Sequence, residues 1–164
     1  MEETERIEFF SPFPVFVLLS RSSEFSNVLR LVGVVLALAI STGASAIGMD
    51  RERSFYPTVL AVVATYYALF AIMAGSTQAL LSESVPIAMF LLAAGTGFKR
   101  GLWWVAIGLA AHGLFDFVHR DLISNPGVPA WWPGWCLSYD VTAGAYLAFL
   151  LWRSKTMKNR PESH

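Results

Sequence analysis

Long apolar stretches separated by short clusters of charge are the feature that most constrains this chain. Each stretch is about 17 to 22 residues long, which is the length that a helix needs to cross a bilayer. A helix of a soluble protein would alternate apolar and charged positions within that length. Composition agrees, because 55% of the 164 residues are hydrophobic and only 15% are charged. The sequence therefore predicts an all-α fold, a polytopic membrane helical bundle.

Five apolar segments are predicted to be transmembrane helices, because a helix satisfies its own backbone hydrogen bonds in lipid. They are Val28 to Met49, Phe55 to Gly75, Ala79 to Gly97, Leu102 to His119 and Trp135 to Trp152. Residues 28–152 thus form the bundle, and residues 153–164 form a basic cytoplasmic tail. Residues 1–27 are predicted to be an interfacial or re-entrant segment, because their apolar run is short and contains prolines.

Basic residues are unequally divided between the two sides of the predicted bundle, and this division indicates its orientation. The richer side holds Arg51, Arg53, Lys99, Arg100, Arg153, Lys155, Lys158 and Arg160. The other side holds Arg6, Arg21, Arg30 and Arg120, together with an acidic N-terminus. We therefore expect an external N-terminus and a cytoplasmic C-terminus. Small residues at intervals of four in the first helix, from Gly33 to Ser45, are expected to serve helix packing.

Three ionisable residues lie on one face of the fourth predicted helix. His112, Asp116 and His119 fall within about 60° of one another on a helix that turns about 100° per residue. Placing such a group inside a membrane costs about 2.5 to 3.5 kcal/mol, so it normally faces the bundle interior and pairs or functions there. The shared face favours a shared site. In it, Asp116 either binds a metal ion directly or orients the two histidines.

Two neighbouring helices bring further candidates to a similar depth. Asp140 lies near the outer end of the fifth predicted helix, and Glu83 lies near the outer end of the third. Each of these two residues also has an alternative role: Asp140 would cap its helix, or Glu83 would lie at the membrane surface. Cys136, four residues before Asp140, is either a thiolate ligand or an inert apolar residue. Since Glu83 must reach in from another helix, we expect it to matter less than Asp116.

The same stretch resembles the DUF6010 family of small multi-pass membrane proteins. The resemblance rests on the pattern His-x3-Asp-x2-His, a following Asn-Pro-x-Val-Pro and a closing Cys-x3-Asp. Here the pattern comprises His112, Asp116, His119, residues 125–129, Cys136 and Asp140. Family members often have a second histidine directly after the third motif position, where this chain has Arg120. The resemblance implies a shared polar site and implies no particular reaction.

The leading functional prediction is an integral membrane enzyme whose site lies near the outer leaflet. The predicted ligands of a divalent ion, with zinc as the expected metal, are His112, His119, Asp116 and Asp140. The predicted catalytic carboxyl groups are those of Asp116, Asp140 and Glu83. The substrate would be lipophilic and would undergo metal-assisted hydrolysis. Isomerisation or cyclisation by acid–base catalysis without a metal is left open.

Two other classes of function are also left open. The same residues would suit a proton or metal-ion relay in a transport or sensing protein, or the polar cluster would serve only helix association in a scaffold. A relay is disfavoured, because the fourth helix offers no further ionisable group on the cytoplasmic side of His112. Twelve basic and twelve acidic residues cancel, so nucleic acid is not an expected partner. Membrane lipids and a lipophilic small molecule are the expected partners.

Overall fold

The computed structural model describes residues 23–158, which form helices joined by short connections. Five α-helices follow one another: α1 (Ser23–Ile47), α2 (Phe55–Met73), α3 (Thr77–Arg100), α4 (Trp103–Leu122) and α5 (Trp132–Lys158). A short 3-10 helix, Met49–Arg51, lies between α1 and α2. The described residues contain no strand. The predicted all-α class is confirmed for this part of the chain.

The two ends of the bundle differ from the predicted boundaries. α1 begins at Ser23, within the segment that was predicted to be interfacial or re-entrant. α5 continues beyond Trp152 and ends at Lys158, within the predicted basic tail. The remaining parts of these two predicted segments, residues 1–22 and 159–164, lie outside the described residues.

Three of the described helices are long and apolar enough to cross a membrane: Glu24–Ile47, Phe55–Met73 and Thr77–Arg100. This finding supports a membrane location. α4 and α5 are of similar length, but they carry ionisable residues in their apolar stretches, among them Asp116 and Asp140, and these lower their hydropathy. The number of five spans therefore stays a prediction.

Small residues let the helices approach one another closely. A Cβ atom added to Gly33 in α1 would lie 2.6 Å from the carbonyl oxygen of Trp135. One added to Gly144 in α5 would lie 2.9 Å from the carbonyl oxygen of Ala106. Such contacts are available only where no larger side chain separates the backbones. The predicted packing role of the small residues is confirmed, and α5 packs against both α1 and α4.

A further close approach fixes how α4 and α5 face each other. A Cβ atom added to Gly113 would lie 3.1 Å from the carbonyl oxygen of Leu137 and 3.4 Å from Cβ of Asp140. Gly113 directly follows His112 in α4. The backbone contact at Gly113 therefore brings the Asp140 side chain within reach of the His112 imidazole.

The connections that follow α2 and α4 place α3 and the 123–131 segment against α2. Gly75 has φ +64°, a left-handed conformation that glycine adopts without steric cost. Oγ of Ser76 then accepts a hydrogen bond from the backbone N–H of Ala79 at 3.2 Å and caps α3. In the later connection, Gly127 packs so closely on the carbonyl oxygen of Phe70 that a Cβ atom would collide with it. These contacts close this end of the bundle over its polar interior.

Candidate metal centre

Four helices contribute to a buried polar cluster in the bundle interior. Its members, each at most 1% exposed, are Tyr67, Glu83, His112, Asp116, His119, Cys136 and Asp140. They come from α2, α3, α4 and α5. The cluster has two halves, which share the side chain of Tyr67. The sequence predicted one site with both histidines, whereas the structure places each histidine in a different half.

The first half, which we call the His112 centre, consists of His112, Asp116, Cys136 and Asp140. His112 Nδ1 lies 2.7 Å from Asp140 Oδ2 and 3.5 Å from Asp116 Oδ2. Cys136 Sγ donates a hydrogen bond to Asp140 Oδ2 over 3.3 Å. One ligand atom from each residue lies within 4.8 Å of the other three, so these four residues could hold a metal ion.

Cys136 replaces His119, which was predicted to be the fourth member of this set of possible metal ligands. Cys136 and Asp140 are four residues apart on α5, so their side chains emerge on the same face of the helix. That spacing is a sequence signal that could have placed Cys136 in the predicted ligand set, from which it was left out because a lone cysteine is usually an inert apolar residue. The alternative role of Asp140 as a helix cap is wrong, because Asp140 lies within α5 and contacts His112.

The second half pairs His119 with Glu83. His119 Nε2 lies 2.7 Å from Glu83 Oε1, and both side chains are buried. The Asn125 side chain donates a hydrogen bond to the same Glu83 oxygen at 2.9 Å and another to the backbone oxygen of Tyr67 at 3.1 Å. The interpretation of Glu83 as a membrane-surface residue is therefore wrong. Because α3 begins directly after the turn at Gly75 and the cap at Ser76, Glu83 lies within the helix and is buried in the bundle interior.

Tyr67 connects the two halves, and the sequence analysis did not single it out. Its hydroxyl donates a short hydrogen bond to Asp116 Oδ1. Its ring stacks on the His119 imidazole, with ring centroids 4.1 Å apart and planes inclined by 26°. A tyrosine in an apolar helix carries no spacing signal of its own. Only the packing of α2 against α4 shows that Tyr67 belongs to the cluster.

Several donor and acceptor atoms of the cluster have no hydrogen-bond partner among the described residues. In the His112 centre they are His112 Nε2, Asp116 Oδ2 and Asp140 Oδ1. An unsatisfied buried polar atom costs about 1 to 3 kcal/mol. The ion pairs within the described part of the chain bring no lysine or arginine to these carboxylates. A bound cation would satisfy both the free atoms and the negative charge.

No protein-family model, curated protein or solved structure matches this chain. The resemblance to the DUF6010 family accordingly rests on the motif residues alone.

Two hollows in the surface reach the cluster. The first, the arginine hollow, has a volume of about 170 Å³ and is lined by Arg30, Asp116, Phe117, Arg120, Pro133 and Gly134 among others. The second, the loop hollow, measures about 230 Å³ and includes His119, Arg120 and Asn125. A larger apolar groove of about 650 Å³ lies along α1, α2 and α5 but is lined by no member of the cluster. Each of the two smaller hollows thus adjoins one residue of the buried cluster.

Proposed function

We propose that this protein is an integral membrane enzyme that hydrolyses a lipophilic substrate with the help of a divalent metal ion. The observation that carries the proposal is the His112 centre, in which four donor side chains from two helices converge in the bundle interior. Buried groups of this kind are costly in a membrane and normally have a function there. The unpartnered atoms of His112, Asp116 and Asp140 add the donor capacity that a metal ion needs.

Zinc is the metal that this donor set suits best. Zinc binds thiolate, imidazole and carboxylate ligands, usually four in number and arranged tetrahedrally. Magnesium and calcium prefer oxygen ligands only, so Cys136 and His112 would disfavour them. If Asp116 served as an orienting residue instead, three protein ligands would remain, and a catalytic zinc site keeps its fourth position for water.

The proposed reaction is hydrolysis of an ester. The bound ion would activate a water molecule and polarise the carbonyl group. The water oxygen would form a bond to the carbonyl carbon, and the bond from that carbon to the alcohol oxygen would break. Asp116, whose Oδ2 has no hydrogen-bond partner among the described residues and lies 3.5 Å from His112 Nδ1, would take the water proton and return it to the alcohol. Tyr67 would hold Asp116 in place.

A second candidate, acid–base isomerisation without a metal, is favoured by the Glu83–His119 pair. The two side chains form a buried carboxyl–imidazole contact, and Glu83 Oε2 and His119 Nδ1 have no hydrogen-bond partner among the described residues. Transport is less well supported. On the cytoplasmic side of the predicted topology, Ser45 binds Asp50 and Tyr146 at 2.8 and 3.1 Å, but no described hydrogen bond joins these residues to the cluster.

The test of the hydrolase is metal-dependent turnover by the full chain, purified in detergent. The zinc-loaded protein should hydrolyse a fluorogenic long-chain ester in mixed micelles, and a chelator should abolish the reaction until zinc is restored. Zinc bound at an exposed cysteine cannot explain the loss of activity on chelation, because Cys136 is the sole cysteine and is buried. Turnover that persists after chelation would contradict the metal's role. Turnover only of an isomerisable polyene would favour the second candidate.

We further propose that all five helices span the membrane, with the cytoplasmic C-terminus predicted from the basic residues. Reporter fusions after Arg53, after Arg100 and at the C-terminus should then give cytoplasmic signals. A fusion between Asp121 and Pro129 should give an external signal. A cytoplasmic signal from this last position would contradict the placement of the buried polar cluster near the outer leaflet.

A further inference from the structure

The arginine hollow places positive charge beside a helix that carries part of the His112 centre. Arg30 comes from α1 and Arg120 from the last turn of α4, and both side chains are exposed. The hollow also contains Asp116, whose carboxyl group belongs to the His112 centre. Three helices that are distant in sequence therefore build one opening, and two of them contribute a guanidinium group to it.

Neither guanidinium group has an acidic partner within the described part of the chain. The ion pairs among those residues all involve histidine, so Arg30 and Arg120 do not pair with Asp116 across the hollow. An arginine has five N–H donors in a fixed fork, which matches the oxygens of a phosphate or carboxylate group. The two guanidinium groups around this hollow are thus available to bind an anion.

The first turn of α5 adds to the positive character of the hollow. Pro133 and Gly134 line it, and α5 begins at Trp132. The start of a long helix carries a partial positive charge and favours anions. A Cβ atom added to Gly134 would lie 3.7 Å from Nε of Arg30, so glycine leaves this helix end open beside the guanidinium group.

Apolar side chains border the same opening. Phe117 is 71% exposed and lines the hollow, as does Leu137. In the predicted topology this surface faces lipid, with Arg120 at headgroup level. An occupant would therefore need an anionic group for the arginines and a hydrocarbon part for the lipid-facing side chains.

We infer that the arginine hollow binds the phosphate group of an anionic amphiphile, which Arg30 and Arg120 hold beside Asp116. The inference rests on the proposed function and names its substrate class: a phosphate-bearing lipid instead of a neutral ester. Arg120 also lines the loop hollow, next to His119 and Asn125. A phosphate group held by Arg120 would thus lie at the surface where the two hollows adjoin.

Binding of soluble short-chain lipids to the detergent-purified full chain tests this inference. Three probes are compared: dihexanoyl phosphatidate, dihexanoyl glycerol, which lacks the phosphate, and inorganic phosphate. Phosphatidate should bind at least about tenfold more tightly than dihexanoyl glycerol, because only phosphatidate forms hydrogen bonds between a charged group and the arginines. It should also bind at least about tenfold more tightly than inorganic phosphate, because its acyl chains add apolar contacts. Arg30→Gln and Arg120→Gln should each weaken phosphatidate about tenfold, and the double variant should weaken it further.

Arg53→Gln is the matched control, because Arg53 is also exposed but lies beyond the other end of the bundle and lines neither hollow. It should bind phosphatidate like the wild type. Equal binding of phosphatidate and dihexanoyl glycerol, or unchanged binding by the double variant, would overturn the inference. Inorganic phosphate binding as tightly as phosphatidate would overturn its lipid part and leave a site for free phosphate.

Zinc content and ester hydrolysis, measured on the same preparations, separate this inference from the proposed function. Arginine-dependent binding of phosphatidate by a protein without zinc and without hydrolysis would support the phosphate site and contradict the hydrolase. Zinc-dependent hydrolysis with no preference for phosphatidate would support the hydrolase and contradict the phosphate site. Because both arginines are exposed, their glutamine variants should keep the zinc content of the wild type.

Discussion

The His112→Ala variant should lose its bound zinc, whereas the His119→Ala variant should keep it. Wild-type protein is expected to carry about one zinc ion per chain. Removing His112 takes a nitrogen ligand from the His112 centre, where His112 Nδ1 lies 2.7 Å from Asp140 Oδ2. The affinity should fall by more than the roughly 10- to 100-fold that is typical when only an orienting residue is lost. His119 contacts Glu83 and is not part of the metal set.

The measurement is the metal content of detergent-purified protein after dialysis against limiting zinc. The two variants form a matched pair, since both histidines lie in α4 and both are 1% exposed. Gel filtration and thermal unfolding show whether each variant is folded, and Cys136→Ser provides an independent loss of one ligand at nearly constant size. Zinc that stays with His112→Ala but leaves His119→Ala would move the metal site to the other half of the cluster.

Replacing Glu83 with alanine should strongly destabilise the bundle. Glu83 Oε1 accepts a hydrogen bond from Asn125 and contacts His119 Nε2, so the substitution leaves the buried His119 Nε2 without its partner and removes one of the two hydrogen bonds of the half-buried Asn125 amide. Removing one member of a buried pair typically costs about 3 to 5 kcal/mol. The thermal unfolding midpoint in detergent, followed by circular dichroism, measures the effect.

Two further variants separate burial from charge at this position. Glu83→Gln keeps an acceptor oxygen for the Asn125 amide and should recover much of the lost stability. Ser82→Ala, next to Glu83 but exposed, should unfold like the wild type. Glu83→Ala and Ser82→Ala with equal unfolding midpoints would contradict a structural role for the Glu83–His119 contact. Glu83→Gln that is folded but inactive would support the proton-transfer role proposed for the pair.

The helical periodicity and the lengths of the apolar stretches were sufficient to predict the five helices. These signals are local: a helix satisfies its own backbone wherever it lies, and apolar length follows from bilayer thickness. The same periodicity placed His112, Asp116 and His119 on one buried face of α4, and the structure buries all three. Boundaries were less well predicted, since α1 begins at Ser23 and α5 extends to Lys158, beyond the apolar segments.

Only the tertiary structure decided which partner each of these side chains meets. Residues that share a helix face still lie at different heights, and α5 approaches α4 at Gly113, beside His112. Asp140 and Cys136 therefore join His112, while His119 lies about 10 Å further along the helix and meets Glu83. The sequence determined by itself that α4 carries a buried polar face. The separation of the His112 centre from the Glu83–His119 pair, with Tyr67 between them, depends on helix packing that no local spacing encodes.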